Sequence, residues 1–282
     1  MAVLLQQIFY FSAIAGTLLT LWCFSRRSRS RSLISTWIAG LRLRWRTAAE
    51  AGLVACFFLG ALHAGDLSLQ QIVSQLVAHN QERDDAMEGY SVLRDYRAGN
   101  GSENKAQMQV KVTYDSPATK DFQILSEEGS GIIRSRVFRA ALAAEKEALL
   151  PDQRRRILIS PENYEFELLG KERLRGHDCY VLQISPKRKE KFLISGCIWV
   201  DGNDFGIVRI KGQLAKSPSL LVRHVDFQRD YRRVNGFWVP ERDESVSKLL
   251  LLGRSTFSVA YQNYKVRQRV ELAAAGGASA GR

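Results

Sequence analysis

The feature that most constrains the fold is a run of half-polar segments separated by turn signals, between Tyr164 and Tyr264. Apolar and polar residues alternate within these segments, which is typical of antiparallel strands with one buried and one solvated face. The connections are short, and Asn235-Gly236 is a strong hairpin signal because a type I′ turn needs positive φ at both central positions. The pattern predicts an antiparallel meander with strands near 179–185, 192–200, 205–211, 221–234, 237–252 and 256–264.

Two amphipathic segments are the available cover for the apolar side of this sheet. Residues 68–84 begin with a capping box, Ser68 with Gln71, and carry one helical stripe of Leu69, Ile72, Val73, Leu76 and Val77. Residues 132–150 predict a second helix that Pro151 ends, with Glu145 on its outer face. Three strands lie between the helices. The fold class is therefore mainly β with α (α+β): a curved antiparallel sheet that forms an unclosed half-barrel, with the helices on its concave face.

The inward positions of the strands and of the second helix are the candidates for an apolar, ligand-binding cavity. They are Met108, Val110, Val112, Tyr114, Ile133, Val137, Phe138, Val225, Phe227, Tyr231, Phe257, Val259 and Tyr261. The alternative is that the same side chains fill an ordinary closed core. Packing separates the two, because cores have few voids whereas a binding protein keeps a cleft of several hundred Å³.

Residues 1–64 predict a membrane or signal region. Residues 2–24 are apolar and long enough to span a bilayer. Residues 51–64 are a shorter apolar run that follows basic residues and ends in small residues, as a secretory signal does. Either both runs span the membrane with the basic stretch between them in the cytoplasm, or the working signal is residues 41–64. Both interpretations place the rest of the chain outside the cytoplasm.

Charge does not indicate a nucleic-acid partner. The net charge is +12, but residues 1–64 carry seven Arg and one Glu, so half of the excess lies in the targeting region. Catalytic signals are also missing: the four His are not at metal-ligand spacings, and neither a phosphate-binding Gly loop nor G-x-S-x-G occurs. We therefore expect a protein that is not an enzyme and has no metal or cofactor. A hydrolase of unknown type is the alternative.

Two further features have open interpretations. Cys179 and Cys197 lie on consecutive predicted strands and would face each other if the connection were centred on Arg188. An exported protein can form such a disulfide, and two buried thiols are the alternative. Residues 187–191, KRKEK, form a basic hairpin tip. It is either a solvated turn or a contact for anionic lipid headgroups or an acidic partner.

Three stretches resemble the LolA-like superfamily of outer-membrane lipoprotein-sorting proteins, to which LolA, LolB and RseB belong. They are SPENYEFELLG (160–170), CYVLQISPKRKEKF (179–192) followed by IWVD (198–201), and VDF (225–227) followed by VNGFWVP (234–240). The likeness covers roughly residues 66–267. We accordingly assign a LolA-like domain to residues 65–267 and a disordered tail to residues 268–282.

The resemblance implies an unclosed barrel whose helices act as a lid over a cavity for the acyl chains of lipoproteins crossing the periplasm. It implies an inner-membrane ABC transporter and an outer-membrane receptor as partners, and a gating Arg near the lid, for which Arg94 and Arg97 are candidates. The expected function is that of a periplasmic carrier or binding protein for lipoproteins or lipids. A membrane-tethered regulator that senses lipid is the alternative on the same fold.

Overall fold

The computed structural model describes residues 67–100, 103–117, 119–216, 222–249 and 253–269. The predicted membrane or signal region, residues 1–64, lies outside the described residues. So does the predicted tail, except for Gln268, which is still part of the last strand, and Arg269. In the described ranges we find no helix with the length and apolar character needed to cross a membrane.

The described elements follow the predicted order of helix, three strands, helix and seven strands. The helices are α1 (Leu69–Ala86), α2 (Gly131–Ile133), a π-helical segment (Arg134–Phe138), α3 (Arg139–Ala148) and α4 (Pro151–Ile157). The strands are β1 (Met87–Asn100), β2 (Glu103–Asp115), β3 (Thr119–Gly129), β4 (Tyr164–Leu174), β5 (His177–Pro186), β6 (Ile194–Asp201), β7 (Ile207–Leu214), β8 (Val222–Val234), β9 (Phe237–Leu249) and β10 (Gly253–Gln268). Residues 131–148, which run from α2 through the π-helical segment to α3, are called the lid helix below.

All ten strands form one antiparallel sheet in the order β3-β2-β1-β10-β9-β8-β7-β6-β5-β4. Neighbours in the sheet are also neighbours in the chain except where β1 pairs with β10, from Met87↔Gln268 to Asn100↔Ser255. This long-range pairing places β3 and β4 at the two edges and leaves the sheet unclosed. The predicted antiparallel, unclosed sheet is confirmed.

The sheet curves around its helices. Helix α1 contacts both β4, at one edge, and β1, near the other edge. The helices lie on one face of the sheet, because their buried residues share core clusters with strands along most of its width. The apolar core fills the same side in two clusters. Ile72 and Leu76 of α1 pack with strands β4–β8, whereas Val137 and Phe138 of the lid helix pack with β1, β2 and β10.

The helical boundaries near residue 150 differ from the prediction. The helix that was predicted over 132–150 ends at Ala148, and it contains a π-helical segment. Pro151 starts another helix, α4, because proline is well tolerated at the first helical position, where the N–H has no intrahelical partner. The outward placement of Glu145 is also wrong, since its side chain is fully buried. It follows Ala141 by four residues and therefore lies on the same inward stripe.

Of the two interpretations left open for Cys179 and Cys197, the structure shows unbridged thiols, of which Cys179 is buried and Cys197 is half-buried. Strands β5 and β6 pair Cys179 with Asp201 and Gln183 with Cys197, so the connection is centred on Glu190 rather than on Arg188. This shift separates the two cysteines along the strands, and both are free thiols. Burial raises the pKa of Cys179 to about 11, which keeps the thiol protonated and unreactive at neutral pH.

Candidate functional site

The thirteen predicted cavity residues point inward, but here they are packed together. Twelve of them are at most 4% exposed, and Tyr114 is half-buried. The rings of Tyr96, Phe138 and Phe257, for example, lie 6.0–6.2 Å apart between centroids. In this conformation the predicted cavity is a closed core. Contact between these side chains and a ligand stays a prediction, and it would require the lid helix to move.

A buried ion cluster, which we call the latch, fastens the lid helix to the sheet. Arg94 of β1 donates two hydrogen bonds to Glu145 of the lid helix, at 2.7 and 3.0 Å. Lys120 of β3 donates a third to the same carboxylate at 2.9 Å. All three side chains are at most 1% exposed. Of the two candidates for a gating Arg, Arg94 therefore touches the lid, whereas Arg97 is exposed to solvent.

A second buried ion pair extends the latch across the sheet. Arg229 of β8 forms a bidentate pair with Asp243 of β9, and both side chains are fully buried. Tyr261 of β10 donates from its hydroxyl to Asp243 at 2.6 Å, while the guanidinium of Arg94 lies 4.9 Å from the centre of its ring. The lid helix is thus linked through charges and one tyrosine to five strands of the sheet: β1, β3, β8, β9 and β10.

The latch should make the free energy of unfolding depend on pH. Burial alone would raise the pKa of Glu145, but the charges of Arg94 and Lys120 outweigh it and lower the pKa from 4.5 to about 2. Such a carboxylate contributes stability that is complete above pH 4.5 and is lost as the pH falls toward 2. We expect the difference in free energy of unfolding between the wild type and Glu145→Gln to become smaller as the pH falls from 4.5 toward 2. Urea denaturation at neutral and acidic pH measures it, and a constant difference would contradict the assigned pairing.

An open groove lies on the other side of α1, between that helix and the start of β4. Its volume is about 660 Å³. The helix contributes a stripe of Leu69, Val73 and Val77, with exposed Ser74 beside it. The opposite wall runs from Pro161 along the first residues of β4 and carries two aromatic rings. Its residues are Pro161, Glu162, Tyr164, Glu165 and Phe166, with Lys187 at the rim.

Some residues of the predicted stripe of α1 pack in the core, and others line the groove. Ile72 and Leu76 are fully buried in the core beneath the helix. Leu69 and Val77 are only half-buried, and together with Val73 they line the groove. The sequence pattern puts all five residues on one stripe. It does not indicate the groove, because the helix contacts apolar surface on more than one side.

The basic tip at residues 187–191 is largely paired. Glu190 accepts hydrogen bonds from Arg188 of the tip and from Arg156 of α4, at 3.0 and 2.6 Å. Lys191 lies 2.8 Å from Glu147 of the lid helix, and Lys187 donates to the carbonyl of Pro161. These contacts favour the interpretation as a solvated turn that joins α4 to the sheet.

Catalytic and metal-binding arrangements do not stand out. His177 lies 2.7 Å from Asp201, but Asp201 also accepts hydrogen bonds from the backbone N–H groups of Asn203 and Asp204. The carboxylate therefore holds a hairpin turn. Over the ranges covered by the structure, no group of His, Cys, Asp and Glu residues has the proximity to hold a metal ion.

Comparisons with known proteins concern the fold. A family model described as an uncharacterized protein matches residues 158–271, which is less than half of the chain. A search of curated proteins returns no match. A search of solved structures finds an outer membrane lipoprotein-sorting protein domain from Vibrio parahaemolyticus, at 14% identity and a TM-score of 0.40, covering 70% of this chain and 93% of that one.

Two other solved structures match this chain with similar identities and TM-scores. A LolA superfamily protein from Nitrosomonas europaea is 14% identical with a TM-score of 0.34, covering 72% of this chain and 94% of that one. A DUF1329 family protein from Desulfovibrio piger is 15% identical with a TM-score of 0.39, covering 70% of this chain and 92% of that one. The function has to be argued from the residues of this chain.

Proposed function

We propose that this protein binds an acyl chain of a lipid or lipoprotein in the groove between α1 and β4, without catalysis. The observation that carries the proposal is the groove itself. Its volume, about 660 Å³, lies in the range of roughly 300–1,000 Å³ that is usual for small-molecule sites. Its walls combine an aliphatic stripe on a helix with the rings of Tyr164 and Phe166.

The shape of the groove suits a single extended chain. From Leu69 to Val77 the lining residues span eight helical steps, or about 12 Å along the axis at roughly 1.5 Å per residue. Binding would come from apolar burial, at about 0.8 kcal/mol per methylene. Since the groove opens to solvent beside the helix, a chain could enter or leave it while the core beneath α1 stays packed.

The fold and the predicted export suggest where such binding would be used. We propose a periplasmic carrier or binding protein that takes part in the sorting of outer-membrane lipoproteins. It would receive its cargo from an inner-membrane ABC transporter and deliver it to an outer-membrane receptor. The resemblance to LolA-like proteins supports these partners, and the predicted signal region supports the compartment.

A membrane-tethered regulator is the second candidate, and the apolar run over residues 2–24 favours it. A carrier needs a mobile, processed chain, whereas a tethered regulator keeps its N-terminal segment. The intact mass of the protein recovered from the bacterial envelope separates them. A mass that starts near residue 65 supports the carrier, and an unprocessed mass supports the regulator.

Filling the groove should weaken lipid binding without loss of stability. Ser74 is exposed at the side of the groove, so a tryptophan there would occupy the space of the chain. We expect Ser74→Trp to weaken the binding of monooleoylglycerol, a neutral single-chain lipid, at least about tenfold, or roughly 1.4 kcal/mol. The free energy of unfolding should change by less than about 0.5 kcal/mol, as for other surface substitutions. Titration calorimetry and urea denaturation of the full chain measure the two effects.

The matched control is Gln75→Trp. Gln75 is the next residue of α1 and is also exposed, but it does not line the groove. This variant should bind the lipid like the wild type. Equal affinities for the wild type and Ser74→Trp, or equal losses in both tryptophan variants, would rule out the groove as the binding site.

A further inference from the structure

The groove continues into a second, polar cleft of about 360 Å³, which we call the arginine cleft. Val77 of α1 lines both spaces. On the opposite wall, Ser160 lines the arginine cleft and the next residue, Pro161, lines the groove. The two spaces therefore meet end to end along one face of α1, with the apolar space toward the start of the helix and the polar space toward its end.

The arginine cleft carries excess positive charge. Four arginines and two aspartates line it, which gives a net lining charge of +2: Arg83, Arg154, Arg155, Arg269, Asp84 and Asp85. The arginines come from α1, α4 and the segment after β10, so the fold gathers them from three distant parts of the sequence. Asp84 holds two of them in place, lying 3.0 Å from Arg83 and 2.6 Å from Arg154.

These arginines keep hydrogen-bond donors that Asp84 does not use. A guanidinium has five N–H groups, and buried donors are normally hydrogen-bonded. Arg83 is only 9% exposed, yet its Nε is buried without a hydrogen-bond partner. Arg154 donates through its two terminal nitrogens to Asp84 and to the carbonyl of Pro117. Among the described residues, its Nε has no hydrogen-bond partner.

We propose that the arginine cleft binds the phosphomonoester group of an amphiphile whose acyl chain lies in the groove. A phosphomonoester carries roughly −1.5 to −2 charges near pH 7 and three acceptor oxygens, which suits a cleft lined by more arginines than aspartates. Guanidinium groups suit such oxygens because their N–H groups form a planar fork. The assignment of the acyl chain rests on the proposed function, whereas the assignment of the phosphate rests on the arginines alone.

Two lipids that differ only in the phosphate test the proposal. Oleoyl lysophosphatidate and monooleoylglycerol share the same chain, and the full-length protein can be titrated with each. We expect the wild type to bind the lysophosphatidate at least about tenfold more tightly, the equivalent of one charge-assisted hydrogen bond. Arg154→Gln should remove this preference and leave the affinity for monooleoylglycerol unchanged.

The control and a second variant come from the same surface. Arg156 lies two residues further along α4, is 59% exposed and pairs with Glu190 outside the cleft, so Arg156→Gln should keep the preference. Arg269 lines the cleft and is exposed, so Arg269→Gln should reduce the preference without affecting the fold. It replaces Arg154→Gln as the decisive variant if urea denaturation shows that Arg154→Gln is unstable.

The outcomes separate this proposal from the proposed function. If the wild type binds both lipids equally well, the phosphate site is wrong and the acyl groove stands. If it binds inorganic phosphate but neither lipid, and Arg154→Gln loses the phosphate, the cleft is a site for free phosphate and the acyl groove is wrong. If none of the three ligands binds, both proposals fail. A preference that persists in Arg154→Gln and Arg269→Gln would place the phosphate elsewhere.

Discussion

Replacing Glu145 with Ala should lower the free energy of unfolding by roughly 3–5 kcal/mol, the usual effect of removing one partner from a buried ion pair. The reason is that Glu145 is the carboxylate that accepts from both Arg94 and Lys120, and these cations are at most 1% exposed. Without it, two positive charges remain in a low-dielectric core. Urea denaturation of the wild type and Glu145→Ala at neutral pH measures the loss.

Glu147→Ala is the matched control for this prediction. Glu147 belongs to the same helix, two residues further on, and pairs with Lys191 on the surface, where its side chain is 45% exposed. Exposed pairs of this kind contribute about 0–1 kcal/mol. Equal losses in the two variants would mean that Glu145 does not hold the lid helix. A recovery of stability when Glu145, Arg94 and Lys120 are all replaced by apolar residues would further support the assignment.

Val112→Asp should unfold the protein or destabilise it by more than about 4 kcal/mol, because an unpaired carboxylate is very costly in an apolar interior. Val112 is fully buried in the cluster that joins the lid helix to β1, β2 and β10. If this face instead formed a permanently open lipid cavity, the variant would fold normally and lose only its lipid. Thermal and urea denaturation, together with a lipid titration, decide between the two.

The neighbouring residue provides the control. Lys111 follows the alternation of β2 to the opposite face and is exposed. Lys111→Asp should therefore change the free energy of unfolding by no more than about 0.5 kcal/mol. A normally folded Val112→Asp protein would overturn the closed core described above.

Local patterns in the sequence account for most of the elements. The alternation of β2 and β8, the Asn235-Gly236 turn and the capping box at Ser68 each depend on residues that are close in the chain. Such patterns also place apolar side chains on the correct face, because a one-residue shift would turn every one of them to solvent. The prediction of an open antiparallel sheet with two helices on its inner face follows from them.

Features that depend on long-range contacts could not be predicted in this way. The pairing of β1 with β10 joins segments that are far apart in the sequence, and the register of β5 with β6 depends on the details of their connection. The sequence does contain a partial indication of the latch, since Arg94 stands between buried Val92 and Tyr96 in an alternating strand. A charged residue at such a position needs a buried partner, but the sequence does not indicate that the partner is Glu145.

The groove and the arginine cleft were missed for a related reason. Each is bounded by α1 on one side and mainly by residues after the lid helix on the other, and Ser116 and Pro117 also line the arginine cleft, so neither wall shows the site alone. Arg83 and Arg154, for example, meet through Asp84 only in the folded chain. Folding places α1 opposite the other wall and so brings the apolar residues and the charges of each site together.

Photo-crosslinking with a fatty acid that carries a diazirine on its chain tests the central claim most directly. The full-length protein would be loaded, irradiated and digested, and the labelled peptides identified by mass spectrometry. Binding in the groove predicts labels on residues 69–77 of α1 and on residues 161–166 at the start of β4. Labels confined to the inner face, around Met108, Val112 and Phe138, would show that the chain lies beneath an opened lid helix, and would contradict the assignment of the groove.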